Sequence, residues 1–446
     1  MLQLLFLVTP VFMIVMSKLR SGLLFGPLTF YAGFWCFWSL ISLFDPYGTS
    51  AVSTSTYLIV WASIISFGIS YLLILPKFKK VDTNNFIHLI DKIIKSKRMM
   101  LIQLFVSAVL IYYYLRYKAV MANLPFYESR RVFFELGFLF RSSVEYMFYN
   151  WMINTLVYVF LLLSISTFVI FNKRGIFVYI SLLNGILFSM VGQGRLVYFY
   201  IIIFALCAFG IKKDLKIKHE SNQRKKPSKL RRLTIYGLIS ITAIYGMNKL
   251  TTMRMGVSGS LIGTIQHSMK ELVIYFTGPF RALDYFLTSG LYHQLGPTYG
   301  RSTLSGLEEL FYTPFVPLGK TLTNTANGIM TTFTVPPIDI GGGVSINAFY
   351  TALMNFYLDG GLFAVIFMSA MCGVISATIY RKMITDFGVY TVCISIFWSY
   401  AMLATIMRWN FSQPFVWIVF ILLLLGSKYK KKRNSLLNKE TYLVHG

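Results

Sequence analysis

Apolar runs of about 15 to 25 residues recur along the whole chain, separated by segments that are short, polar or strongly basic. About 20 apolar residues at ~1.5 Å rise per residue cross a hydrocarbon core ~30 Å thick, and inside lipid every backbone polar group must bond within its own segment or a closed barrel. Runs of this length restrict the chain to a helical, polytopic membrane protein. Composition agrees: 56% of the 446 residues are hydrophobic and only 13% are charged. Mean hydropathy is +0.62, outside the range of soluble domains.

Runs able to cross lie near 2–17, 24–44, 56–76, 99–117, 146–171, 176–192, 196–211, 234–248, 361–379, 388–408 and 414–427. The expectation is an all-α fold with about eleven transmembrane helices. The pair 176–192 and 196–211 reads as two passes meeting at Gly192-Gln193-Gly194-Arg195, because one helix from Arg174 to Lys212 would be roughly 55 Å long, nearly twice the bilayer core. The chain then divides into an N-terminal bundle (1–248, spans 1–8), a large loop (249–359), a C-terminal bundle (360–427, spans 9–11) and a basic tail (428–446).

The net charge of +26 is concentrated in clusters at Lys18/Arg20, Lys77 to Arg98, Lys173/Arg174, Lys212 to Arg232, Arg381/Lys382 and Lys428 to Lys439, which hold 29 of the 42 Lys and Arg residues. Flanking apolar runs, these are orientation signals rather than a nucleic-acid surface. With eleven spans they share one side, the cytoplasm, so the C-terminus is inside and the N-terminus outside. Segments near 45–55, 118–145, 192–195, 249–359 and 409–413 fall on the other side. The first run lacks a basic leader and a cleavage pattern, and reads as a retained span. Phe86, Leu89, Ile90, Ile93 and Ile94 recur at helical spacing beside Lys92, Lys95 and Lys97, the pattern of a basic helix lying on anionic lipid. Lys212 to Arg232 reads as a charged linker. Cys36, Cys207, Cys372 and Cys393 all fall in apolar runs, as packing residues do, and indicate neither a disulfide framework nor a metal site.

A turn-rich extramembrane segment as long as 249–359 is functional more often than it is a connector. It carries Arg254, His267, Glu271, Arg281, Asp284, His293 and Arg301, with Asp359 where the chain returns to the membrane. His267 and His293 lack metal-ligand spacing, and the phosphate-binding glycine motifs of nucleotide enzymes are absent from the sequence, so neither a metal nor a nucleotide cofactor is expected. What stands out on the outer side is arginine: Arg130, Arg131, Arg141, Arg195, Arg254, Arg281, Arg301 and Arg408. A guanidinium keeps its charge and grips phosphate through a planar fork, which suits a diphosphate held at the membrane surface. Each is also open to a structural reading as a snorkelling or ion-paired residue. Arg195, in a glycine-rich turn with little room for a solvated charge, is the foremost functional candidate. Arg408 ends the tenth run in Met-Arg-Trp-Asn, the composition of an interfacial anchor. Gly278-Pro279 reads as a helix start that places Arg281 and Asp284 on one face, either as a surface ion pair or as a phosphate ligand beside a base. Asp359 reads equally as a helix N-cap and as a catalytic carboxylate.

The turn GQGR, the segments YFTGPFRALDYF and LGPTYG, and above all NAFYTALMNFYLDGGLFAVIFMSAMCGVISATIYRK resemble the oligosaccharide repeat unit polymerases, the Wzy-type O-antigen and capsule polymerases. The likeness covers roughly the second half of the chain and the layout of many spans around one large periplasmic loop. An N-terminus outside departs from that family's usual description. The resemblance implies a metal-independent, GT-C-like glycosyltransferase of the inner membrane, acting on undecaprenyl-diphosphate-linked oligosaccharides, with a chain-length regulator and a flippase as membrane partners. On that expectation Arg195, Arg254, Arg281, Arg301 and Arg408 are candidates to contact diphosphate. Asp284, Glu271, His293 and Asp359 compete as the base, and Tyr275, Tyr292, Tyr299 and Tyr350 are candidates to stack on sugars. The alternatives are an O-antigen ligase, a flippase, which calls for charges in mid-span and repeat symmetry, and a membrane acyltransferase, which calls for a histidine at a span end.

Overall fold

The computed structural model describes residues 1–75, 94–122, 139–192, 196–215, 261–318, 322–334, 336–346 and 350–427. The first six long helices are α1 (Leu2–Ser21), α2 (Pro27–Phe44), α3 (Thr54–Ile74), α4 (Lys97–Met121), a short α5 (Ser143–Met147) that continues through a π turn into α6 (Asn154–Phe171), and α7 (Ile176–Gly192). They are followed by α8 (Leu196–Asp214), α9 (Leu261–Thr288), α10 (Leu291–Leu295), α11 (Ser305–Tyr312) and α12 (Ala326–Thr334). A two-stranded hairpin, β1 (Ile338–Asp339) and β2 (Ser345–Ile346), leads to α13 (Ala352–Thr385), α14 (Val389–Ala404) and α15 (Pro414–Ser427). The protein is therefore an all-α membrane protein. Among the described residues, six helical stretches are long and apolar enough to cross a bilayer: α1, α2, α3, most of α4, α5 with α6, and α13. Shorter apolar helices cover 176–191, 389–404 and 414–427, and α8 overlies the run at 196–211. The eighth expected span (234–248), most of the interfacial helix at 77–98, most of the linker 212–232 and the tail 428–446 lie outside the described residues.

Local chemistry sets the helix ends. Pro27 opens α2 at the position where its missing N–H costs nothing, and Ser53 caps α3 by accepting from Thr56 N at 3.4 Å. α3 and α13 run side by side, joined by a Ser63–Ser369 hydroxyl contact of 2.8 Å. Gly373 lies so close that a Cβ there would stand 2.3 Å from the Phe67 carbonyl, the small-residue approach by which helices associate in lipid. The four cysteines are buried and unbridged.

One end of the bundle is basic. Arg20 donates to the Leu73 and Leu75 carbonyls, and Lys212 reaches the Val169 carbonyl at 2.8 Å. Asp214 clamps the same end, accepting from the Leu24 and Phe25 amides and from the Tyr380 hydroxyl. At the far end the chain between α2 and α3 is held by segments from hundreds of residues away. Ser50 N donates to the Ile340 carbonyl at 2.5 Å. Gly341, Gly342 and Gly343 all adopt positive φ, and a Cβ on Gly341 would stand 2.7 Å from Ser50 N, so only glycine lets the hairpin turn press against that loop.

Two readings of the sequence change here. α9 runs unbroken from Leu261 to Thr288, with Pro279 in its interior rather than at its start. The proline removes one helical hydrogen bond. Burial of Phe276, Phe280, Leu283 and Phe286 holds the two halves together, and the Arg281 guanidinium covers the Thr277 carbonyl at 3.2 Å. The ninth span does not begin cleanly after Asp359 either, because α13 comprises two helices joined at Gly360 and Gly361, the latter at φ +64. Ala352 N bonds the Thr405 carbonyl at 2.8 Å, and Trp35 Nε1 reaches the Thr405 hydroxyl at 3.0 Å. The short first helix of α13 thus starts at the depth of Trp35, nine residues inside the far end of α2, and its chain runs outward to the glycines before turning down beside α3.

Candidate functional site

Nine residues before the end of α2 correspond to about 13 Å of helix. Thr405, which Trp35 reaches, therefore lies well below the rim formed by Phe44 and the α2–α3 loop, and it opens the turn 405–413 that carries Arg408. α9 covers one side of this level: Phe276 stacks on Trp38 (centroids 4.4 Å apart) and meets Phe34 edge-on at 5.4 Å, while Phe280 meets Trp35 at 5.8 Å. α11 closes another, seated so tightly that a Cβ on Gly306 would stand 2.4 Å from the Phe411 carbonyl oxygen.

The candidate residues fall into distinct environments. Arg281 is buried and donates to Asp45 Oδ1 at 2.9 Å and to Ser42 Oγ at 3.2 Å, leaving its Nε without a partner. Burial pushes its pKa down, and Asp45 opposes that shift. Asp284 shares its face of α9, but the two do not pair. The Asp284 carboxylate accepts from Ser53 N at 3.1 Å, from the Ser53 hydroxyl, and from Thr56 Oγ1 at 2.7 Å. Arg281 and Asp284 together fasten both ends of the α2–α3 loop.

Asp359, also buried, accepts from Thr298 Oγ1 at 2.6 Å, from the Ser302 and Thr303 amides at 2.9 Å each, and from the Thr303 hydroxyl. It organises the Gly-Pro-Thr-Tyr-Gly turn, which presents Tyr299 at φ +53 with 84% of its surface exposed. Arg301 forms a two-pronged pair with Glu308 Oε1 (3.0 and 2.7 Å) and donates to the Asn324 carbonyl. Glu308 also caps α12 through Ala326 N. Glu271 stands 3.5 Å from His267, one helical turn away and half-exposed, and His293 is exposed beside Tyr292. Arg130, Arg131, Arg195 and Arg254 lie outside the described residues.

Arg408 differs from the other two described candidate arginines. It is partly buried, and the titratable groups that surround it are Tyr158, Tyr200, Tyr275 and Tyr400, one from each of α6, α8, α9 and α14. Tyr200 packs against Tyr158 and Tyr400 with ring centroids 5.0 and 4.9 Å away. Among the described residues no carboxylate lies within ion-pair distance of Arg408. Its neighbour Trp409 does not face lipid as an anchor would; it is 5% exposed and donates to the Thr303 carbonyl at 2.6 Å. A partly buried cation beside tyrosines, with no carboxylate in reach among the described residues, has the chemistry to hold an anion. Tyr158, Tyr200 and Tyr400 escape sequence reasoning because a tyrosine in an apolar run usually packs or sits at the interface, and Tyr275 stood out only as a candidate to stack on sugars. Only their convergence from four helices sets them apart.

No protein-family model, curated protein or solved structure matches the chain.

Proposed function

We propose that the protein is a membrane glycosyltransferase of the polysaccharide-polymerase kind. It moves a growing glycan from undecaprenyl diphosphate to the non-reducing end of an incoming lipid-linked repeat unit. The observation that carries this reading is Arg408, a partly buried cation with four tyrosines and, among the described residues, no carboxylate around it, set in a turn at the end of the bundle opposite its basic clusters. Under the positive-inside rule that end is periplasmic. The motif resemblance adds the substrate class.

The chemistry fits the residues. A polyprenyl diphosphate leaves without a general acid and needs positive charge where its oxygens gain electrons, which a guanidinium and phenolic hydroxyls supply without a metal. Tyr299, held outward by the turn around Asp359, offers a ring face to a sugar. The eleven-span topology, the inner-membrane location with a cytoplasmic C-terminus, and partnership with a chain-length regulator and a flippase belong to the same proposal.

Surface-polysaccharide gels of a deletion strain test it, with complementation by wild type and by Arg408→Gln at matched membrane levels. The expected result is core plus a single repeat unit in the deletion, a full ladder with wild type, and no ladder with Arg408→Gln. Loss of every repeat in the deletion, the single one included, would replace the polymerase with a ligase or flippase. A full ladder from Arg408→Gln would remove Arg408 from the site.

A further inference from the structure

The outer carboxylates differ in what holds them. Asp45 pairs with Arg281, and Glu145 accepts from Arg116 at 2.8 Å, Tyr113 at 3.2 Å and the Arg141 amide at 2.6 Å. Asp284, Glu308 and Asp359 are each filled by several donors, as described above. Asp339 accepts from Gly341 N in the exposed hairpin turn, and Glu271 shares an exposed face with His267. Among the described outer carboxylates, Glu309 on α11 is the exception. It is partly buried, its hydrogen bond comes from the neutral Asn327 amide to Oε2 at 3.0 Å, and no cation among the described residues lies within ion-pair distance. Its Oε1 accepts no hydrogen bond from any described residue.

Glu309 is also tied to the turn that carries Arg408. The second proton of Asn327 Nδ2 goes to the Ser412 carbonyl at 2.7 Å, so one amide bridges Glu309 to a residue four positions beyond Arg408. Gly306, one turn before Glu309, lies directly on Phe411 and Ser412. Arg408, with no carboxylate in reach among the described residues, and Glu309, with Oε1 unfilled by any of them, are thus tied to one short piece of backbone.

We propose that Glu309 is the general base of the transfer, taking the proton of the acceptor hydroxyl. This rests on the polymerase reading. The acceptor O–H proton passes to Glu309 Oε1, and the acceptor oxygen bonds to the anomeric carbon of the donor sugar. The bond from that carbon to the diphosphate oxygen breaks, and its electron pair leaves on the diphosphate, against Arg408. The proton on Glu309 then returns to water. A base works best when its pKa approaches the working pH. Burial pushes the Glu309 carboxyl above its ordinary value, the Asn327 hydrogen bond opposes that shift, and the Glu308 charge on the same helix adds to it. Among the described residues, the Tyr146 hydroxyl on α5 also faces it.

The test uses membranes holding the full-length protein and, as donor and acceptor, the lipid-linked repeat unit extracted from the deletion strain. Ladder formation and polyprenyl-diphosphate release are followed across pH. Glu309→Gln keeps the shape and the acceptor for Asn327 but takes no proton. It is expected to lower the rate by about 100-fold or more and to abolish the acidic limb of the wild-type pH profile. A rate within about threefold of wild type, or an unchanged acidic limb, overturns the assignment while the polymerase reading stands. Should wild type itself form no polymer from this substrate, the polymerase reading fails first. If Glu309→Gln does not accumulate in the membrane, Glu309→Asp decides: a displaced acidic limb supports the role, and an unmoved one refutes it.

Discussion

Asp359→Asn is nearly isosteric, and the geometry around Asp359 makes its cost calculable. Oδ1 accepts from Thr298 Oγ1 and Ser302 N, while Oδ2 accepts from Thr303 N and Oγ1. An asparagine must place its NH2 at one of these two positions. The threonine hydroxyl on that side can rotate and accept, but the backbone N–H cannot, and it is left buried against another donor. An unsatisfied buried donor costs about 1–3 kcal/mol, and the remaining amide bond loses the extra strength it drew from the charge. The sum is about 2–4 kcal/mol against the closed turn. At 1.4 kcal/mol per tenfold, a local opening made easier by this amount speeds amide exchange by roughly 30- to 700-fold. Hydrogen exchange read by mass spectrometry on the purified protein should show this in the peptide covering 298–303, while peptides from α3 and α13 stay at wild-type rates. Wild-type exchange in that peptide would refute the claim that Asp359 holds the turn. Acceleration spread over the whole chain would refute the claim that the effect is local.

Other substitutions probe the remaining contacts. Gly306→Ala drives a Cβ to 2.4 Å from the Phe411 carbonyl oxygen and 2.8 Å from the Ser412 carbonyl carbon; because backbone atoms cannot rotate away, about 1–3 kcal/mol should be lost, and an unshifted melting curve would sink the close seat of α11. Asp45→Asn leaves the buried Arg281 guanidinium without its charge partner; breaking a fully buried pair costs about 3–5 kcal/mol, so with the Asp45 side chain 28% exposed and partly screened by water the loss should be about 2–3 kcal/mol, and a variant that melts with wild type would count against the pair. Glu309→Gln, read for stability rather than turnover, should do the opposite: the folded pKa is raised, so the folded state holds its proton over a window where the unfolded chain has lost it, and stability falls as pH rises through the folded value. The glutamine removes that loss, so the variant should melt above wild type at neutral pH and match it below the ordinary carboxylate pKa. A variant that melts lower at every pH would show Glu309 to be a structural residue.

The helical membrane architecture was legible because it depends on run length and apolarity, which are local. The break at Gly360–Gly361 was visible as a glycine pair, but not as the turning point of a helix that begins inside the bundle, because that depends on where Thr405 lies. Arg281 and Asp284 were correctly placed on one face of a helix. Their partners were hidden, since Asp45 lies 236 residues away from Arg281 and Ser53 lies 231 residues away from Asp284. The same limit governs the arginines: Arg281, Arg301 and Arg408 have one chemistry in the sequence and three environments in the fold. Arg408 carried the sequence mark of an anchor, and the burial of Trp409 beneath Thr303 removes that reading. Arg195, foremost in the sequence, lies outside the described residues.

The charged groups at the far end divide by what they do for stability. Asp45, Arg281, Asp284, Asp359, Arg301 and Glu308 are each met by partners in reach, and together they fasten the α2–α3 loop, the turn at 298–303 and the start of α12. Folding alone accounts for them, because each would be costly to leave unsatisfied in a partly dry environment. Arg408 and Glu309 are not accounted for in this way. Each carries a desolvation cost that a neutral side chain of similar shape would avoid, and both are tied to the same backbone turn without forming an ion pair. On the proposed reading, groups that oppose folding and persist on one turn are what charge-separating chemistry requires. A cation must be free to meet an anion as it forms, and a carboxylate must be free to take a proton. Pairing them with each other or with neighbours would stabilise the fold and disarm both.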